Sequence, residues 1–554
     1  MPETTGGDLL VRLLREHGVN TAFGVVSVHN LPLVDAIAHE LRFVPVRHEA
    51  AAVNAADGYA RATGGLGVAV TSTGTGAGNA AGSMIEALSA GSRVLHVTGQ
   101  VDSEFIGTNG GVRGVIHETR DQLGMLTAIS KHAATVASAA TAEHTLREAI
   151  AAALTAPTGP ASVEWPIDLQ YARLGGAAVD DDTVATASTT PATPPVDEDA
   201  LARAVNALTG ARRPAIWAGG GATCAREQVR ALAERLGAAV FTSNSGRGTL
   251  PEDHDLVIGN FAAAPDGAAL LADADVLLSV GTHFRSNETK HYQLTLPATH
   301  VQLDIDSAAL GRSYPADVAL HGDAAIVLDA LLATLGEPAT EPGWRERVTA
   351  TRIAVRDRLR AAIGPYALMC DALREQLPRD AVIARDVTIP SSQWGNRLLE
   401  IYDPDTNVFP VGGGIGQGLA TGIGAALARP DAPTVVMVGD GGLAVHLGEL
   451  ATLAQERPWL VVVLFNDGGY GVLRNMQERH SGRRSGVDLF TPDFHRLARA
   501  VDLPYELVHR AEQFPAALTK ALDQHGPAVL EVDVTALEPA PEPFVPPVHV
   551  PNQE

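Results

Sequence analysis

Two aspartates, Asp440 and Asp467, lie 27 residues apart in VVMVGDGGLAVHLGELATLAQERPWLVVVLFNDGGYG, each at the carboxyl end of an apolar run. If those runs are parallel neighbours in a sheet, both carboxylates reach one crevice, where open α/β sheets bind ligands. Two carboxylates and the carbonyl of Gly469 suit a hard cation that keeps coordination positions for phosphates, namely Mg²⁺. Gly439, Gly441 and Gly442, with Leu443, open the following helix and let backbone amides approach a diphosphate there. Tyr470 closes the polar turn beside them. The plainer reading is an ordinary βαβ unit with loop aspartates; spacing and strand context together favour the site.

A second constellation lies near the start of the chain. Glu49, in RHEAAAVNAADGYAR, ends a predicted strand and enters a helix among small apolar residues. It reads either as a helix-start glutamate favoured by the macrodipole or as an acid placed for proton chemistry. Ile415 stands alone among the glycines of VGGGIGQG, an odd composition for a mere linker. Thr388 and Ser391, after the predicted strand AVIARD, either touch a diphosphate or cap the next helix. His29 in FGVVSVHN and His117 in GVIHETRDQLGML follow predicted strand ends. A loop histidine is most often decoration, but two at one sheet edge can move protons. Gln100 in VTGQV ends another strand of that segment, and Asn287 in HFRSNETKHY is a weaker pocket candidate. The TGTGAGN turn lacks a phosphate-loop lysine and has no acid at the dinucleotide-binding distance. The Gly219-Gly220-Gly221 turn hints at a Rossmann-like unit, without requiring FAD or a nicotinamide.

The elements that must position these residues follow from the patterning. At 554 residues the chain exceeds one core, and three domains are expected. Residues 174–198 and 336–344 read as linkers, leaving segments 1–173, 199–335 and 345–535 and a proline-rich tail, 536–554. Each segment alternates β-branched runs with Ala- and Leu-rich helical patterns, so the expected class is α/β, with three mostly parallel sheets flanked by helices. The predicted strands are TAFGVV, RFVPVRHE, LGVAVTST and RVLHVTG; then RPAIWAGGG, AAVFTS, DVLLSVG and THVQLDID; then AVIARD, NVFPVGG, TVVMVGD, WLVVVLFND and AVLEVDV. A net charge of −23 argues against nucleic acid or an anionic membrane as partner. Two cysteines exclude a disulfide framework, and without a secretion signal or a membrane-length apolar run the expected location is cytoplasmic.

Taken together, the GDG…ND spacing, RHEAAAVNAADGYAR and VGGGIGQG resemble the thiamine diphosphate-dependent family of acetolactate synthase, benzoylformate decarboxylase and benzaldehyde lyase. The resemblance covers nearly the whole chain, with one departure: Asp467 stands where the family has the second Asn of an Asn-Asn pair. It implies pyrimidine-binding, central Rossmann-like and diphosphate-binding domains in that order. It also implies thiamine diphosphate and Mg²⁺ as cofactors, the metal held by Asp440, Asp467 and Gly469. Glu49 would act on the aminopyrimidine, Ile415 would wedge the cofactor into a V, and the Gly413 carbonyl would accept from its amino group. His29 matches a histidine of benzaldehyde lyase, and His117 falls where relatives carry polar residues. Gln100 sits at a strand end typical of the acetolactate synthase branch. The family's active centres form between subunits, implying a homodimer or homotetramer. The implied reaction is a lyase or carboligase step on a 2-oxo acid or 2-hydroxy ketone. The rivals are an acetolactate synthase-like transferase, an inactive cofactor-binding regulatory subunit and an NAD-binding dehydrogenase.

Overall fold

The computed structural model describes residues 4–106, 113–173 and 196–546. Continuous Val-, Leu- and Ala-rich runs can be buried on both faces only inside a parallel sheet covered by helices. The chain builds three such sheets, each with six strands, and every strand pair is parallel.

The first sheet contains β1 (Thr21–Gly24), β2 (Arg42–Pro45), β3 (Gly67–Thr71), β4 (Val94–Gln100), β5 (His132–Thr135) and β6 (Ala161–Pro166), in the order β2-β1-β3-β4-β6-β5. The second contains β7 (Pro214–Ala218), β8 (Ala239–Thr242), β9 (Val257–Gly259), β10 (Val276–Val280), β11 (Thr299–Asp304) and β12 (Val318–His321). Its order, β12-β11-β10-β7-β8-β9, is the doubly wound Rossmann arrangement. The third contains β13 (Val382–Arg385), β14 (Asn407–Val408), β15 (Thr434–Gly439), β16 (Leu460–Asn466), β17 (Tyr505–Val508) and β18 (Ala528–Asp533). Its order, β14-β13-β15-β16-β18-β17, repeats that of the first sheet.

Every strand expected from the sequence is present. The additional ones, β5, β6, β9, β12 and β17, are mostly sheet edges. Partial exposure dilutes the apolar signal of β5, β12 and β17, as in the alternating buried and exposed residues of β12, whereas β9 is only three residues long and β6 mixes Ser, Glu and Pro into a buried run. Helix Trp344–Ala362 lays Trp344, Val348 and Val355 into the core of the central sheet. No helix among the described residues is long and apolar enough to cross a membrane.

The first and third sheets meet through two helices of small residues, Glu49–Thr63 and Gly418–Ala428. A Cβ on Gly58 would overlap the Thr421 carbonyl oxygen, and one on Gly424 the Ala55 carbonyl oxygen. Backbones that close require glycine, so EAAAVNAADGYARAT is poor in bulk because a neighbouring helix fills the space. Asp57 and Arg61 pair at 2.7 Å beside this contact, and Arg61 Nη1 donates to the Phe409 carbonyl at 2.6 Å.

Candidate active centre

In the third sheet the strand order reverses between β13 and β15, which opens a crevice at their carboxyl ends. Asp440 leaves β15 directly into helix Asp440–Val445, and Asp467 follows β16, the next strand across. The Asp467 N–H donates to Asp440 Oδ1 at 3.3 Å, which fixes the two turns together. Asp440 Oδ2 and Asp467 Oδ1 are buried without any hydrogen-bond partner. Burial pushes the Asp440 carboxyl up from its ordinary value, and burial followed by the Asp440 charge pushes Asp467 up to about 6. Two desolvated acids with unclaimed oxygens are unfavourable alone and complementary to a cation.

The surrounding turns fit the same purpose. A Cβ on Gly441 would lie 2.7 Å from the Tyr470 ring and 3.1 Å from the Gly469 carbonyl oxygen, so that oxygen stands beside the Asp440 turn. Two carboxylates and one carbonyl form a hard-oxygen set suited to Mg²⁺. Arg474 answers the Asp-for-Asn departure: its Nη1 donates to the Asp467 carbonyl at 3.0 Å and lies 3.7 Å from Asp467 Oδ1. Arg474 Nε also bonds Asp488 at 2.8 Å, and Tyr470 N–H donates to the Val487 carbonyl at 2.8 Å, so a neighbouring strap holds the turn. Gly442 and Leu443 lie in the short helix, and the Leu443 side chain is in the core.

Thr388 and Ser391 separate. A Cβ on Gly439 would lie 3.1 Å from Thr388 Oγ1, which places Thr388 at the crevice, whereas the buried Ser391 hydroxyl donates to the Met437 carbonyl at 3.4 Å. Gly413 has φ +83°, a conformation natural to glycine, and Ile415 two residues on is 39% exposed.

In the first sheet, Glu49 is half-buried at the head of helix Glu49–Thr63, where the His48 ring accepts the Ala50 N–H at 3.2 Å. Its Oε2 accepts from Asn79 Nδ2 at 3.0 Å, and a Cβ on Gly76 would press on its Oε1 at 2.8 Å. His29 and His117 do come together, with Nδ1 atoms 3.4 Å apart. Burial first, and then His117, lower the His29 pKa below its ordinary value. His29 is buried and its carbonyl accepts from Gln170 Nε2 at 2.8 Å; His117 is exposed at φ +67°.

Gln100 lies inward. Its Nε2 donates to Glu164 Oε2 at 3.0 Å, and its Oε1 accepts from Val101 N–H at 2.9 Å and Thr73 Oγ1 at 3.3 Å. The side chain is thus used within the first domain. Asn287 is exposed on the central domain. A cavity of about 590 Å³ opens at the carboxyl edge of the central sheet, where Gly220, Gly221, Asp304 and Arg285 line it. The Asp440–Asp467 crevice is elsewhere. Arg474 sits in no recognisable motif, and Asn79 closes the TGTGAGN turn, whose sequence suggests only a nucleotide loop and not a partner for Glu49.

Comparison with known proteins agrees with this arrangement. The N-terminal TPP binding domain of thiamine pyrophosphate enzymes matches residues 4–125, their central domain 201–331 and their C-terminal TPP binding domain 390–532. A probable 2-ketoarginine decarboxylase of Pseudomonas aeruginosa is 33% identical over 95% of this chain and 94% of its own length. Acetolactate synthase isozyme 2 large subunit of Escherichia coli is 31% identical over 98% and 97%. A probable acetolactate synthase large subunit of Methanocaldococcus jannaschii is 29% identical over 98% and 93%. With domain matches over most of its length and relatives aligned end to end, the chain belongs to the thiamine pyrophosphate enzymes and takes thiamine diphosphate as its cofactor.

Proposed function

We propose that the protein cleaves or joins the carbon–carbon bond beside a carbonyl in a 2-oxo acid or 2-hydroxy ketone, with thiamine diphosphate and Mg²⁺ bound. The observation that carries this reading is the pair of unpartnered carboxylate oxygens on Asp440 and Asp467 at adjacent strand ends, where a phosphate-bound cation would complete them. Thiamine diphosphate supplies the electron sink of the reaction when it is bound.

The chain's own residues divide the remaining work. Asp440, Asp467 and the Gly469 carbonyl hold the metal, and Gly439, Gly441, Gly442, Leu443 and Thr388 line the diphosphate. Tyr470 packs against the Gly441 turn. Ile415 and the Gly413 carbonyl orient the rings. Glu49 holds a proton at the aminopyrimidine, and Asn79 orients its carboxylate. His29, whose pKa burial and His117 lower, receives or returns a proton at the substrate oxygen.

The active unit is a homodimer or homotetramer with centres between subunits, in the cytoplasm. In support, apolar side chains are exposed around the site: Val28 beside His29, Ile116 beside His117, Val445 at the end of the Asp440 helix, and Phe490 near Asp488.

The test is a screen of 2-oxo acids and acyloins with added thiamine diphosphate and Mg²⁺, with identification of every product. Turnover of at least one substrate, dependent on both additions, is expected; absence of turnover across the panel would favour an inactive regulatory subunit. The second reading, an acetolactate synthase-like transferase, is favoured by the full-length likeness to the Escherichia coli protein. It requires acetolactate from pyruvate alone.

A further inference from the structure

Residues 411–418 carry Gly413 and Ile415, and buried carboxylates from two domains take every second backbone amide of this run. Glu86, on helix Thr75–Ala90 of the first domain, accepts the Gly412 N–H on Oε1 at 2.8 Å and meets the Gly414 N–H with Oε2 at 3.5 Å. Asp386, after β13, accepts the Gly416 N–H at 3.0 Å and the Gly418 N–H at 2.8 Å. Arg285, from the central domain, donates to the Val411 carbonyl. The two acids hold the loop by its backbone and leave its middle uncovered: Ile415 is partly exposed, and a Cβ on Gly413 would meet nothing within 4 Å.

Burying a carboxylate is costly, and charge-assisted bonds from backbone amides are what offset it. Two such groups spent on a single loop make a device for orientation, since a plain connection needs neither. Helix Thr75–Ala90 also carries Asn79, which holds Glu49. One helix therefore touches both Glu49 and the Ile415 loop.

We infer that Glu86 is a positioning residue: through the Gly412 and Gly414 amides it sets where Gly413 and Ile415 meet the cofactor rings, while the charged tail is anchored independently at Asp440 and Asp467. This rests on the assignment of Gly413 and Ile415 to the cofactor. Glu86→Ala, Glu86→Gln and Gly412→Ala, whose Cβ would press on Glu86 Oε2 and Ser89 Oγ, test it in the full-length protein.

The readouts are the dissociation constant of thiamine diphosphate with Mg²⁺, the near-ultraviolet circular dichroism of the bound cofactor, and kcat. Glu86→Ala is expected to lower kcat roughly 10- to 100-fold and alter the dichroism band, as misplacement of a reacting group does. Its cofactor dissociation constant should stay within about threefold of wild type, the mark of an interaction used in turnover rather than in anchoring. Glu86→Gln, which keeps one acceptor, should fall between, and Gly412→Ala should show the same split. Wild-type kcat and dichroism in Glu86→Ala, or in Glu86→Gln should the alanine variant not fold, would overturn the inference even if thermal stability drops. Failure of the unsubstituted protein to bind thiamine diphosphate would instead remove the assignment beneath it.

Discussion

The first and third domains share one sheet order yet equip its carboxyl edge oppositely. After the second strand in each, one carries Glu49 and the other the loop of Gly413 and Ile415. After the third strand come Thr73 and Gly74 in one and Asp440 in the other; the fourth ends on Gln100 in one and is followed by Asp467 in the other. In the first domain Thr73, Gln100 and Gln122 close a network on Glu164, whose carboxyl burial pushes up. The third leaves two acid oxygens open. One topology thus carries a rim whose strand-end amides close on Glu164 and a rim with two acid oxygens that have no hydrogen-bond partner. The helices that follow the second strand in each domain pack on one another, so the two rims are referenced to one shared contact.

That contrast breaks most visibly at Glu49. Glu49→Gln should lower kcat about 10³-fold while cofactor binding persists, a general acid–base loss measurable by steady-state assay and equilibrium dialysis. Asp440→Asn should do the reverse, weakening cofactor and Mg²⁺ retention about 10- to 100-fold, the worth of about 1.5–3 kcal/mol for a charged contact. Asp467→Asn should cost less, within about tenfold, because Arg474 already offsets part of that charge. Retention of cofactor by Asp440→Asn at wild-type affinity would erase the distinction between the rims.

A smaller effect tests the shared contact. Gly424→Ala drives a Cβ into the Ala55 carbonyl and should destabilise the protein by about 1–3 kcal/mol in thermal or urea unfolding. An unchanged midpoint would mean that the two helices do not hold the rims together.

The smallest expected effect is electrostatic. His29 is held below its ordinary value, so its neutral form is favoured in the folded protein. The associated stability is fully present above the ordinary histidine value of about 6.5 and is lost as pH falls through that range. His117→Asn removes the neighbouring ring but not the burial, so the His29 pKa should rise part of the way back. Ring-proton NMR titration reads this directly, and no movement would separate the two histidines functionally.

Much of this was legible in the letters. β15 and β16 are unbroken apolar runs, and their length and termination announce buried parallel strands with Asp440 and Asp467 at the ends. Glu49 and Ile415 stand out because their flanking residues form recognisable words; the structure adds that Glu49 heads a helix and Ile415 lies on a partly exposed loop. Edge strands such as β5 and β17 were not, since one face meets solvent and the apolar pattern thins. Thr388 and Ser391 looked alike in sequence; only packing against Gly439 and the Met437 carbonyl tells them apart. Gln100 at a strand end looked available, and the buried network shows where its amide is spent.

By itself the sequence determined which side chains stand at strand ends, because strand period, glycine placement and apolar runs are local properties. What only the tertiary structure decided is which of them meet. Glu86 reaches Gly412 across 326 residues, and His29 reaches His117 across 88. Hydrogen bonds and charges act over a few ångströms, and no spacing along the chain encodes a contact made by the packing of whole domains.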